Sequence, residues 1–154
     1  MKRNIILLLL LLCPLLVMAQ GENKLFQKYA DMDNVTSVYI SKKMFQMMPV
    51  ANTAGLSLMN MKGKVDGLEI LTTENPALRA QMKKEFGALI SAKHEELMRV
   101  KDESTRATFY IRENNDLIRE LIMLADTKDE FSVIQLVGRF TLQDIQEITN
   151  QQKK

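Results

Sequence analysis

Apolar positions in this chain change period along its length, and the changes mark out its elements. From Glu22 to Met32, Leu25, Phe26 and Tyr29 recur at helical spacing, which predicts a short amphipathic helix ending near Asp31-Met32-Asp33-Asn34. The β-branched and aromatic run Val35-Thr36-Ser37-Val38-Tyr39-Ile40 predicts a strand with Val38 and Ile40 on one face. Ser41 is a candidate N-cap for a second helix, whose apolar stripe is Met44, Phe45 and Met48 and which Pro49 closes. Val50 to Lys64 has no clear period and reads as a connection, with loops around Leu56, Leu58, Met59 and Met61. Val65 to Thr73 predicts a second strand, Leu68 and Ile70 facing one way and Gly67 marking a bulge.

Asn75-Pro76 is a helix start, a capping side chain followed by proline at the first helical position. Leu78, Met82, Phe86, Leu89 and Ile90 then line one face of a long helix. Beyond it the period changes. Glu96 to Val100, Arg106 to Arg112, Leu117 to Ala125 and Phe131 to Val137 are separated by short segments rich in turn-forming residues, so four strands are expected to form an antiparallel meander. The continuous apolar character of Leu121-Ile122-Met123-Leu124 suits a central strand buried on both faces, a helix of that length being the alternative. Thr141-Leu142-Gln143-Asp144 resembles a capping box with Asp in place of Glu, opening a last helix on Leu142, Ile145 and Ile148. The order of elements predicts a single α+β domain: a largely antiparallel sheet with amphipathic helices packed on one face.

Residues 1–19 stand apart. Lys2 and Arg3 precede an apolar run from Ile5 to Met18, and Val17-Met18-Ala19 precedes Gln20, the pattern of a secretory signal peptide cleaved between Ala19 and Gln20. The run contains Pro14 and is shorter than the roughly 20 residues of a bilayer span. The domain is therefore assigned to 20–154, exported to the periplasm or cell envelope. Cys13 is the only cysteine and leaves with this segment. Its predecessor Leu12 and the apolar residues after it are unlike a lipidation site, so membrane tethering through Cys13 is not expected. A mature chain without cysteine has no disulfide, no thiolate nucleophile and no cysteine metal site.

Charge narrows the partners. The 21 basic residues less Lys2 and Arg3 leave 19, equal to the 19 acidic residues, and the two signs are interspersed. Nucleic acid, which needs a basic stripe, is not an expected partner. An envelope protein is.

Catalytic vocabulary is sparse. His94 is the sole histidine, no G-x-S-x-G segment presents a nucleophile, and one histidine is too few for a zinc site. Its position near the C-terminal end of the long helix suits capping or surface duty. The paired acids Glu95-Glu96, Asp102-Glu103 and Asp129-Glu130 read as solvated turn residues in a chain without tryptophan. The glycines are scattered, so no phosphate cradle is expected. No catalytic residue and no cofactor is assigned. Methionine is the sharpest feature: Met44, Met47 and Met48 with Met59 and Met61 are either core fillers, soft ligands for Cu(I), or an adaptable apolar surface for a partner. As a candidate site they are read as an apolar binding surface.

Three segments also carry a resemblance: Val38-Tyr39-Ile40-Ser41-Lys42-Lys43-Met44, Leu68-Glu69-Ile70-Leu71 and Gly138-Arg139-Phe140-Thr141-Leu142-Gln143-Asp144-Ile145. With the signal peptide, they make the chain similar to the domain-of-unknown-function family numbered 4252, small exported proteins of Bacteroidota, from about Leu25 to Ile148. The resemblance implies an envelope location and a link to extracytoplasmic sigma and anti-sigma signalling. It brings no catalytic residue. Some family members are lipoproteins, a pattern from which Leu12-Cys13 departs. The expected function is a non-enzymatic exported binding module, accessory to envelope stress signalling. The alternatives are a small-ligand or Cu(I) carrier using the methionines, and an envelope hydrolase centred on His94.

Overall fold

The computed structural model describes residues 21–47, 52–53, 56–57, 61 and 63–150. The expected signal peptide, Cys13, Met48, Pro49 and Met59 lie outside the described residues. In chain order the elements are α1 (Gly21–Ala30), β1 (Thr36–Ser41), α2 (Lys42–Met47), β2 (Asn52–Thr53), β3 (Leu56–Ser57), β4 (Val65–Thr73), α3 (Pro76–Ser91), β5 (Glu95–Lys101), β6 (Thr105–Asn114), β7 (Leu117–Thr127), β8 (Phe131–Phe140) and α4 (Leu142–Asn150).

Six strands form one antiparallel sheet in the order β1-β4-β8-β7-β6-β5. The last four are the expected meander, joined by tight turns. Between β6 and β7, Asn115 and Asp116 both have positive φ, 52° and 60°, the backbone of a two-residue hairpin turn whose twist matches the strands. Between β5 and β6, the Asp102 carboxylate accepts the N–H groups of Ser104 and Thr105 at 2.8 and 2.7 Å. β4 then pairs with β8, and β1 is added outside β4. The segment read as an irregular connection contains a small separate ladder, β2 on β3.

The helix starts follow the expected chemistry. Asn75 caps α3, its side-chain oxygen accepting from the N–H groups of Ala77 and Leu78 at 3.1 Å, with Pro76 next. Ser41 Oγ accepts from Met44 N at 3.4 Å at the start of α2. Thr141 and Asp144 cap α4 reciprocally: Thr141 N donates to Asp144 Oδ2 at 2.8 Å, and Asp144 N donates to Thr141 Oγ1 at 3.2 Å. Lys64 donates to the other oxygen of Asp144 at 2.6 Å, tying this helix start to the beginning of β4.

The α+β class, the single domain and the antiparallel sheet are as expected, but the helices cover both faces of the sheet, not one. On one face α1 and α3 bring Phe26, Tyr29, Met82, Phe86 and Ile90 onto Leu71, Ile122, Phe131 and Val133. Phe26 meets Phe86 edge to face at 5.0 Å between centroids. On the other, α2, α4 and Met61 bring Phe45, Ile145 and Ile148 onto Leu68, Phe109, Leu121, Leu136 and Phe140. The cause lies in β7 and β8. Consecutive residues such as Leu121, Ile122 and Met123 alternate between faces, and all three are buried, so these central strands need cover above and below.

The two sheet edges differ in kind. β5 carries Glu95, Glu96, Arg99 and Lys101 and a register shift between Glu96 and Met98. β1 has neither charge nor proline nor bulge, and Thr36 to Tyr39 are exposed.

Candidate functional site

The methionines do not form one surface. Met44 and Met47, three residues apart on α2, are 50% and 78% exposed, whereas Met61 is 2% exposed and belongs to the core on the α4 face. Met61 is thus a packing residue, a correction to the expected surface. It follows from the position of residue 61 just before Lys64, whose carbonyl is bonded to the β8 backbone at Arg139 N (2.9 Å), so the chain there lies against the sheet. Val38 of β1, 40% exposed, joins Met44 and Met47 on the α4 face: its register partner Ile70 packs against that core. Val38, Met44 and Met47 are thus three exposed apolar side chains on β1, which has no second strand partner among the described residues, and on the helix that directly follows it.

Polar chemistry gathers on the opposite face, past the C-terminal end of α3. The Glu120 side chain is fully buried on β7 and accepts from His94 Nε2 at 2.9 Å, from Arg112 Nε at 2.9 Å and from the side-chain amide of Gln135. Burial alone would raise the pKa of this carboxyl. The bonds from His94, Gln135 and the Arg112 guanidinium outweigh it and hold the group down at about 2. An ionised carboxylate only accepts, so His94 Nε2 and the Gln135 nitrogen are the donors of these bonds. His94 is not the surface residue expected of it. Its side chain is buried, and Nδ1 makes no hydrogen bond among the described residues. Its backbone N–H bonds to Ile90 O at 2.9 Å, ending α3 and turning the ring under the helix onto the sheet.

Beside this cluster lies a depression of about 190 Å³ on the same face. Its side chains come from two adjacent cross-strand rows. Tyr39, Glu69 and Gln135 are successive partners across β1, β4 and β8, and Gly67 is the partner of Val137 in the next row. Gly67 leaves the floor open: a Cβ there would have the Tyr39 ring as its nearest contact, at 3.7 Å. Glu69 is partly buried and makes no hydrogen bond or ion pair among the described residues, and burial pushes its pKa up from the usual 4.5. Neighbouring Asp66 is different, its pKa lowered by the bond from Lys42 at 2.7 Å.

Glu120, Gln135, Glu69 and Arg112 were not legible as a group. One signal was present: Arg119-Glu120 interrupts an otherwise apolar run, and a charge turned inward in a central strand needs partners. Which partners it finds depends on strand register, which periodicity does not give.

Neither the curated proteins nor the solved structures contain a match to this chain. A family model does match, over residues 29–148, from the end of α1 to the last buried residue of α4. That stretch holds the whole six-stranded sheet, the buried residues of both cores except Phe26, and the capped helix starts of α3 and α4. The chain belongs to the family described as Domain of unknown function (DUF4252).

Proposed function

We propose that the chain is an exported, non-enzymatic interaction module that binds an envelope protein through β1 and α2, as an accessory to envelope stress signalling. The observation that carries the reading is the exposure of Val38, Met44 and Met47 on an edge strand and the helix that follows it, the strand being paired on one side only among the described residues. An open edge offers backbone donors and acceptors to an incoming strand, and flexible thioether side chains adapt to its surface. The signal-peptide pattern of residues 1–19 supports export, with cleavage between Ala19 and Gln20.

The test is capture from envelope extracts with the mature chain and with a Val38→Lys/Met47→Glu variant. A partner held by the first and lost with the second, at equal melting temperature, supports the reading. Identical recovery by both sinks it. Met44 and Met47 are also the two exposed thioethers among the described residues that a Cu(I) carrier would use, being one helical turn apart. Saturable Cu(I) binding that Met44→Leu/Met47→Leu abolishes would favour that function.

A further inference from the structure

We propose that the depression between Tyr39, Glu69 and Gln135 is a binding site for an organic cation, an alkylammonium or a guanidinium group. The proposal concerns the sheet face opposite Val38 and does not depend on the proposed partner surface.

Glu69 supplies the charge. Several other carboxylates drawn in from solvent have a cation against them: Glu120 has Arg112, Asp144 has Lys64, and Asp126 has Arg79 and Lys83. Glu69 has none among the described residues, although it sits between Tyr39 and Gln135 in the middle of a cross-strand row. A partly desolvated carboxylate without a counter-charge is costly, and a cation entering from outside removes the cost.

Gln135 supplies a neutral acceptor, held in one orientation by the buried cluster. Because ionised Glu120 can only accept, the Gln135 amide must turn its nitrogen to Glu120. The amide oxygen is then left on the side of the depression, with no bond among the described residues. Glu120 is in this sense a positioning residue: it sets which end of the amide a ligand meets.

Tyr39 supplies the third contact. Its ring lies along the open floor at Gly67, and the strand spacing of about 4.8 Å puts it one strand from Glu69. A cation over Glu69 would lie within reach of the ring face. Two acceptors and an aromatic face select for a positive group with N–H bonds to give. The small volume admits an end group, not a nucleotide or a sugar.

Free amines and the Lys or Arg side chain of a bound polypeptide share this chemistry, and the experiment separates them. The full mature chain is titrated with n-butylammonium, with N-acetylargininamide and with an Arg-containing hexapeptide, following amide shifts by NMR. Binding of either free cation, with shifts at Tyr39, Glu69 and Gln135 and at least a tenfold loss in Glu69→Gln, supports the site and identifies a small amine or guanidine as sufficient. Binding of the peptide alone, with the same loss, supports it and assigns the cation to a polypeptide side chain. Gly67→Val, which fills the floor but keeps the Glu69 charge, must weaken binding as well. Failure of all three probes at millimolar concentration, or equal affinity in wild type and Glu69→Gln, overturns the proposal.

Discussion

The carbonyl oxygen of Lys64 lies 2.1 Å from the point where a side chain on Gly138 would begin, and Phe140 Cζ lies 2.4 Å from the same point. Only glycine lets the chain entering β4 cross this closely over β8, where Lys64 O accepts the N–H of Arg139 at 2.9 Å. Gly138→Ala must displace backbone as well as an aromatic ring. The expected cost is about 2–4 kcal/mol, measured by urea unfolding. A variant as stable as wild type would show that the crossing relaxes freely.

Glu120 predicts an acid-sensitive fold. Its carboxyl titrates at about 2 in the folded chain against 4.5 when free, so the folded state binds fewer protons across that window. The associated stability is present above pH 4.5 and is lost as pH falls towards 2, amounting to about 3 kcal/mol. Glu120→Gln should be destabilised by about that amount at pH 7, and the gap to wild type should close below pH 4.5. A gap independent of pH would refute the ionic account.

Asp144 joins three elements through Thr141 and Lys64. Burial opposes its ionisation, while the bonds from Lys64 and Thr141 outweigh it and lower the pKa from 3.8. Its contribution is therefore present above pH 3.8 and fades as pH falls below that value. Asp144→Ala should cost about 1–2 kcal/mol at neutral pH, with hydrogen exchange rising first in α4.

Glu69 has the opposite sign. With the folded pKa above 4.5, ionisation costs the folded state more than the unfolded one, so stability declines as pH rises from 4.5 through the raised value. Glu69→Gln should melt about 1–3 °C higher than wild type at pH 7 and identically below pH 4.5. A lower melting temperature at pH 7 would mean that Glu69 is stabilising and already paired.

The two classes of methionine should separate under truncation. Met61→Ala removes a core side chain and should cost about 2–5 kcal/mol, while Met47→Ala should stay within about 0.5 kcal/mol of wild type. Equal losses would contradict the division between core and surface.

Local chemistry made much of the fold legible in advance. Asn75-Pro76, Ser41 and the Thr141–Asp144 box are cap signals whose physics acts within three residues, and each is found as expected. The continuous apolar run of β7 correctly placed it inside the sheet. What was missed depends on long-range register. Period alone gave no means to tell that Met61 is packed by the return of the chain onto β8, that His94 turns inward to a carboxylate 26 residues away, or that α1 and α3 lie across the sheet from α2 and α4. The cation site is of the same kind: Tyr39, Glu69 and Gln135 are far apart in sequence and become neighbours only when β1, β4 and β8 pair.

The unequal margins of the sheet bear on how copies of this molecule could aggregate. A body with one adhesive rim can join a single neighbour through it and is then spent. The rim at Glu95 to Lys101, kinked and studded with charged side chains of both signs, offers no second point of growth. Even at high concentration, stacking rim to rim should stop at pairs and never run on into fibres.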